Sequence, residues 1–340
     1  MVRSNSVAVL LFCLLSASLH TRAQQEESAL SAARSLIQQN RNAEAIAQLK
    51  ALAERHPGMK GIHRELGVAY YQQGDYLEAA KHLQDAWRED PEDRDAAQLL
   101  GLSYYSTGKP NEAIPPLEKV RLWHADENID AIYVLGLCYI LTRNYSQARE
   151  TFAQLYGVPT ESAEAHLTLA RMLLRQGFDP VAEDETRRAL SLSPQLPLAH
   201  FTLGEYAVYE ADYSKAAQEF AAELAINAGY APALTRLGDV YWRLQRYDDA
   251  EKVLQRSIWL DSTSSEPYVI MGKVMVKKGQ LARGEHALQR AISMDPGSYT
   301  AHYFLGQLYR QMGKTEAAER EMKTAAQIQQ LQGNNTARNR

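Results

Sequence analysis

The chain has 340 residues, 45% of them apolar, with 37 basic and 41 acidic side chains and a formal net charge of −4. The negative balance disfavours nonspecific nucleic-acid binding. Of the two cysteines, Cys13 lies in the N-terminal segment, so only Cys138 remains after processing and an internal disulfide is excluded.

Residues 1–23 read as a secretory signal peptide. Arg3 precedes an apolar run from Val7 to Leu15, followed by small and polar residues to Ala23, with cleavage expected after Ala23. The run is shorter than the ~20 residues of a transmembrane helix, so no integral membrane span is expected in the mature chain. Leu11 and Phe12 precede Cys13 where a lipoprotein signal needs small residues. Losing Arg3 and Arg22 makes the mature chain more acidic, and a secreted or periplasmic location follows from the segment as a whole.

From residue 26 a period of 34 governs the chain. A small residue recurs as Ala33, Gly67, Gly101, Gly136, Ala170, Gly204, Gly238, Gly272 and Gly306, with one step of 35 between Gly101 and Gly136. Nine repeats follow: 26–59, 60–93, 94–127, 129–162, 163–196, 197–230, 231–264, 265–298 and 299–332. Leucine or methionine precedes the small residue in eight of them, and tyrosine follows three later at Tyr70, Tyr104, Tyr139, Tyr241 and Tyr309. An alanine stands twelve later in eight repeats, Ala45 to Ala318, with Gly284 in the other. His63, Leu66, Gly67 and Tyr70 share one helical stripe, as do Ala79, Leu83 and Ala86. Gly74, Gly108, Gly177, Gly279 and Gly313 stand between two predicted helices, where a residue with φ > 0 turns the chain back. Pro57, Pro91, Pro194 and Pro296 close four repeats. A period of this size predicts stacked helix pairs that bury a core only together, in one elongated domain.

Leu-Gly then Tyr on a first helix, Ala then a large apolar residue on a second, and a closing Pro resemble the tetratricopeptide repeat. The resemblance covers residues 26–332 and implies an all-α, right-handed superhelical solenoid. It also implies a binding scaffold whose first helices line a concave groove.

The third repeat departs from the pattern. Pro110 lies in its turn, and Pro115 and Pro116 predict a second helix that starts late or kinks, with the extra residue near Asn128. In the fourth repeat, Gly157, Val158 and Pro159 shift the closing proline. Ala32 and Ala33 make the first repeat atypical, a predicted cap. The glutamine-rich end of the last repeat predicts a solvated final helix, and residues 333–340 a disordered tail.

Signs of chemistry are lacking. Phosphate loops, zinc-protease helices, nucleophile elbows and paired CxxC motifs are absent, and the nine histidines look scattered. Acidic clusters at Glu89–Asp93 and Asp126–Asp130 read as helix caps rather than calcium loops. His56-Pro57-Gly58 lacks the aspartate of a J domain. Cys138 reads as a small buried hydrophobe. Asn144 and Asn334 stand in glycosylation sequons, relevant only in a eukaryotic host. The repeats leave no room for a catalytic domain, so no enzyme activity and no cofactor or metal are expected.

Under the resemblance, positions three before and one, four and five after the small residue face the groove. In the second to eighth repeats, candidate contacts there are Arg64, Tyr71, Gln98, Tyr105, Tyr133, Arg171, Arg175, Phe201, Tyr209, Trp242, Arg243, Lys273 and Lys277. Arg with Tyr and Trp is the composition of binding hot spots, here suited to an extended peptide or protein segment of partly acidic character. The Lys/Asn carboxylate clamp of chaperone-binding members is missing. The expected function is a non-catalytic protein–protein scaffold of the periplasm or secretory pathway. A glycan-binding module using the aromatic groove, or a self-associating assembly protein, stands as the alternative.

Overall fold

The computed structural model describes residues 27–123, 128–177 and 180–338, with side chains to 333. The segment 1–23, predicted to be a signal peptide, lies outside the described residues. Among those residues the chain is all helix, with no strand. Helix α1 spans 27–38. It is followed by α2 (Asn42–Arg55), α3 (Ile62–Gln73), α4 (Tyr76–Glu89), α5 (Arg94–Ser106), α6 (Pro110–Trp123), α7 (Ile129–Leu141) and α8 (Tyr145–Leu155). These belong to a first compact unit, Met1–Glu161. The second compact unit, Ser162–Arg340, holds α9 (Ala163–Gly177), α10 (Val181–Leu192), α11 (Ala199–Tyr209), α12 (Tyr213–Ile226) and α13 (Ala231–Arg243). It continues with α14 (Tyr247–Leu260), α15 (Glu266–Lys277), α16 (Leu281–Met294), α17 (Tyr299–Gln311) and α18 (Thr315–Arg338). Odd and even helices are the first and second helices of the repeats. The division into two units falls after Gly157-Val158-Pro159, where the closing proline is shifted.

The small residue exists because a large one faces it. A Cβ built on Gly204 would sit 2.5 Å from Phe220 Cε1, and one on Gly67 2.5 Å from Leu83 Cγ. The facing residue stands sixteen positions on, as in Gly136 with Phe152 and Gly272 with Leu288. Phe152, Phe220, Leu83 and Leu288 are fully buried. Where the fifth repeat carries Ala170 instead, the residue sixteen on is Thr186, also fully buried and smaller. In the fifth repeat volume is conserved across the pair, as close packing requires, whereas in the first Ala33 has the fully buried Leu49 sixteen on.

Every repeat turns between its helices through a residue with φ > 0, seven after the small residue. Glycine fills that place at Gly74, Gly108, Gly177, Gly279 and Gly313, but Asn40, Arg143, Ala211 and Gln245 fill it elsewhere, with φ of 58° to 60°. The hydrogen bonds are the same: Asp75 N–H donates to Tyr70 O at 3.0 Å, and Asp212 N–H to Ala207 O at 2.9 Å. This is the closure that ends a helix in a left-handed residue. Left-handed alanine costs about 1–2 kcal/mol, and glycine's greater freedom in the unfolded chain returns part of that. Ala211→Gly is therefore expected to stabilise the chain by up to about 1 kcal/mol, read as a raised denaturant midpoint; a lowered midpoint would contradict it.

Four of the histidines are in register, four residues before the small residue. His166, His200 and His302 place Nδ1 2.6, 2.8 and 2.6 Å from Glu185, Glu219 and Glu321, each nineteen residues on. His63 meets His82 at 3.1 Å in the same place. Each pair ties a first helix to its own second helix. Cys138 is fully buried, as expected of a small hydrophobe, and burial pushes its thiol up to about 12. Such a thiol stays protonated and unreactive near neutrality.

Two expectations need correction. Helix α6 does not start late: it begins at Pro110 and carries Pro115 and Pro116 within it. Pro110 opens the helix, where its missing N–H is unpaired anyway. Pro116 and Leu117 are buried against the core, so packing holds the helix through the two lost donors. At the other end, α18 runs on to Arg338 where a disordered tail was expected from Gly333. Gly333 lacks the positive φ of the repeat-turn glycines and so does not end the helix.

Candidate functional site

In the N-terminal unit the predicted contacts divide by how far they are already bonded. The Arg64 guanidinium is spent at a repeat junction, donating to Asp93 at 2.8 Å and also to Asp95 and Glu65. Glu65 is buried and accepts from Arg34 as well, at 2.8 Å. Tyr71 is half-buried and packs edge-on against Tyr76, and Tyr133 does the same against Phe152. Gln98 and Tyr105 are half-buried, and burial pushes the Tyr105 hydroxyl above its ordinary range. Leu137 and Ile140, on the same predicted stripe, are buried in the core instead.

In the C-terminal unit Phe201 serves packing. Its ring centre lies 5.5 Å from that of Phe220 and 5.2 Å from that of Tyr230. Arg243 stacks over Tyr213 and donates to Asp239 at 2.8 Å. Lys273 donates to Asp239 at 3.1 Å and lies 3.6 Å from the Trp242 ring centre. Burial pushes the Asp239 carboxyl up, but Lys273 and Arg243 outweigh it and hold the group below its ordinary range. Arg171, Arg175, Tyr209 and Lys277 are exposed. Arg175 and Lys277 have no ion pair among the described residues.

Of the predicted contacts, Trp242, Lys273 and Lys277 meet at one concavity, while Arg171, Arg175, Phe201, Tyr209 and Arg243 lie outside it. Trp242, Lys273, Val276, Lys277, Phe304, Gln307 and Gln311 line a cavity of about 290 Å³ on the α13, α15 and α17 face. The indole Nε1 of Trp242 is shielded from solvent and has no acceptor. Lys277 supplies a free cation, and Gln307 and Gln311 supply exposed amides that can both donate and accept. Phe304, Gln307 and Gln311 were not among the predicted contacts. Gln307 and Gln311 stand one and five after Gly306, so the same offsets carried into the ninth repeat locate them.

Among the described residues, no three His, Cys, Asp or Glu side chains are placed to hold a metal. No described helix is long and apolar enough to cross a membrane. Two tetratricopeptide repeat family models match the chain, one over residues 30–93 and 133–197, the other over 70–128, 207–258 and 275–333, half of the chain. The chain belongs to the tetratricopeptide repeat family. As such it is a non-catalytic protein–protein interaction module, and its described helices pair as the repeat requires. No curated protein sequence matches this tetratricopeptide repeat chain.

Solved structures of similar chains include MamA from residue 41 onward of Desulfovibrio magneticus RS-1. It is 20% identical, with 50% of this chain and 96% of that one covered and a TM-score of 0.46. YrrB, described as a TPR protein with an unusual peptide-binding site, is 22% identical over 54% of this chain and 93% of its own, at 0.44. PilF of Pseudomonas aeruginosa is 18% identical over 58% and 90%, at 0.46.

Proposed function

We propose that this chain is an adaptor of the periplasm or secretory pathway that holds an extended peptide or protein segment on the first-helix face of its C-terminal unit. The location rests on the N-terminal segment, with Arg3, the apolar run and Ala23. The binding mode rests on the Trp242 cavity, where an aromatic wall, an indole N–H without an acceptor, a free Lys277 and two amides converge. An apolar side chain of the segment fills the cavity beside Val276 and Phe304, with Lys273 already over the Trp242 ring. A neighbouring carboxylate pairs with Lys277, and the amides of Gln307 and Gln311 bond the segment's backbone. Lys273 takes no part as a free charge, since Asp239 already holds it.

A peptide array followed by fluorescence anisotropy tests this. Trp242→Ala is expected to weaken the tightest array peptides by at least about tenfold, as loss of a buried aromatic hot spot does. Lys277→Glu weakens acidic peptides selectively. Binding that survives both changes, or a glycan array that outcompetes the peptides, would overturn the assignment. Secretion is read separately, by N-terminal sequencing of the exported chain for a start at Gln24.

A further inference from the structure

Three after the small residue, five of the nine repeats place a tyrosine toward the preceding repeat's second helix. The Tyr309 hydroxyl accepts from Gln289 Nε2 at 3.0 Å, the Tyr139 hydroxyl bonds Glu118, and Lys50 Nζ lies 5.5 Å from the Tyr70 ring centre. Lys50, Glu118 and Gln289 all stand seventeen after the small residue of the preceding repeat. Between the seventh and eighth repeats the same two places hold Gln255 and Met275. No ring fills the gap there. Instead a cavity of about 380 Å³ opens between α14 and α16, floored by Met271 and Met275 and walled by Ile258, Tyr268 and Ala287. Ligand pockets begin at ~300 Å³, so this one has room for one or two side chains.

Arg283 and His286 line it, and the helices that wall it, α14 and α16, carry further exposed basic side chains and a bare indole. Lys252, Gln255, Arg256 and Trp259 stand at i, i+3, i+4 and i+7 of α14, one stripe, and all are exposed. Trp259 is 82% exposed, the most of any large apolar side chain described. On α16, Arg283, His286 and Arg290 form a second exposed stripe at i, i+3 and i+7. The nearby carboxylate of Glu251 is neutralised by Lys278 and Arg283, at 2.6 and 2.8 Å. Lys252, Arg256 and Arg290 have no ion pair among the described residues, and Arg256 donates only to the Ala228 carbonyl at 2.7 Å.

We propose that this methionine-floored cavity is a second docking site, separate from the Trp242 cavity. It receives an aromatic or large aliphatic side chain of a protein segment whose flanking residues are acidic. The cavity is what selects a protein segment: a bilayer has no side chain to insert, and a nucleic-acid strand has no use for a pocket floored by thioethers. Methionine suits such a site because its flexible, polarisable side chain repacks around different anchors. Charge complementarity selects the flanks, since a second copy of this chain would set the same cations against each other.

The test uses the full chain with 13C-labelled methionine methyls and an array of acidic peptides with one central Phe, Trp or Leu. The tightest peptides are expected to shift the Met271 and Met275 methyl signals to saturation. Replacing the anchor by Ala, or the flanking Glu by Lys, weakens them at least about tenfold. Met275→Tyr rebuilds the missing tyrosine and abolishes the binding. Trp259→Ser and Arg256→Glu, both changes of exposed side chains, weaken it severalfold even if Met275→Tyr folds poorly. Lys277→Glu, a change of an exposed side chain of the first cavity, leaves it unchanged, so this site and the first can fail separately. The proposal is overturned if no peptide shifts those methyls, or if affinity survives Trp259→Ser and Arg256→Glu. It is overturned equally if anionic vesicles or single-stranded DNA shift them as strongly as the peptides.

Discussion

Gly204→Leu should lower the unfolding free energy by about 3 kcal/mol, and Gly204→Ala by about 1–2 kcal/mol. Two effects oppose each other at this site. Alanine favours a helix interior over glycine by about 1 kcal/mol. Against that, the new Cβ would lie 2.5 Å from Phe220 Cε1 and 2.9 Å from Cζ, inside contact distance. Phe220 is fully buried and wedged against Phe201, so its ring has nowhere to swing. Overpacking wins, and the two helices of the sixth repeat must part. Ala170 and Thr186 show what a relaxed pair looks like, so Phe220→Thr provides the partner for a double-mutant cycle. Phe220→Thr alone should cost about 3–5 kcal/mol as a large-to-small core change. The double variant should be less destabilised than the sum of the two singles by about 1 kcal/mol or more. Urea unfolding of the four chains measures this. Strict additivity, or a Gly204→Leu midpoint equal to the parent's, would mean that Gly204 does not make the contact.

Much of this packing was legible because it depends on one residue type at one spacing. The period placed all nine small residues, and the glycine pattern placed five of the nine turns. Asn40 is a residue type that favours φ > 0, but the turns at Arg143, Ala211 and Gln245 were not legible, since nothing in those residue types announces it. They are set by the helix pairs on either side. The histidines looked scattered because a pair nineteen residues apart spans two helices of one repeat and follows no single-helix spacing. Electrostatics was read least well, for a related reason. Arg64 finds its partners 29 and 31 residues on, and Lys273 finds Asp239 one full period back. Counting charges helix by helix therefore overstates what is free to bind. After the junction pairs are removed, the free cations of the predicted groove shrink to Arg171, Arg175 and Lys277 among the described residues. The binding face is defined by what the repeats leave over once they have bonded each other.

Cavities obey the same logic. Two concavities of the C-terminal unit show it. In the eighth repeat, Met275 takes a tyrosine's place, and α17, in the ninth, brings Phe304, Gln307 and Gln311 to the Trp242 cavity. A consensus repeat would pack these gaps shut and gain stability. Retaining them is a cost that folding alone does not explain.

The second large effect concerns a capping carboxylate that comes from outside its helix. Leu198 is the N-cap of α11, with φ of 72° and no side-chain oxygen to offer the free N–H groups of the first turn. Glu223, on α12, supplies both oxygens instead. It accepts from Leu198 N–H at 2.9 Å and from Phe201 N–H at 3.3 Å. A local capping box satisfies the N-cap and third-position donors with two side chains. Here one carboxylate, fully buried, serves the same positions from the neighbouring helix. Its charge also lies at the positive end of α11. Glu223→Leu would preserve bulk but strand two part-buried donors, each costing about 1–2 kcal/mol, so a loss of about 2–4 kcal/mol is expected. Glu223→Gln keeps one acceptor and should lose about half as much. Amide exchange distinguishes this from general loosening. Leu198 and Phe201 should lose protection in Glu223→Gln under conditions where the α13 and α15 amides keep theirs. Equal loss across all three helices would place the role of Glu223 in the core of the unit rather than at the start of α11.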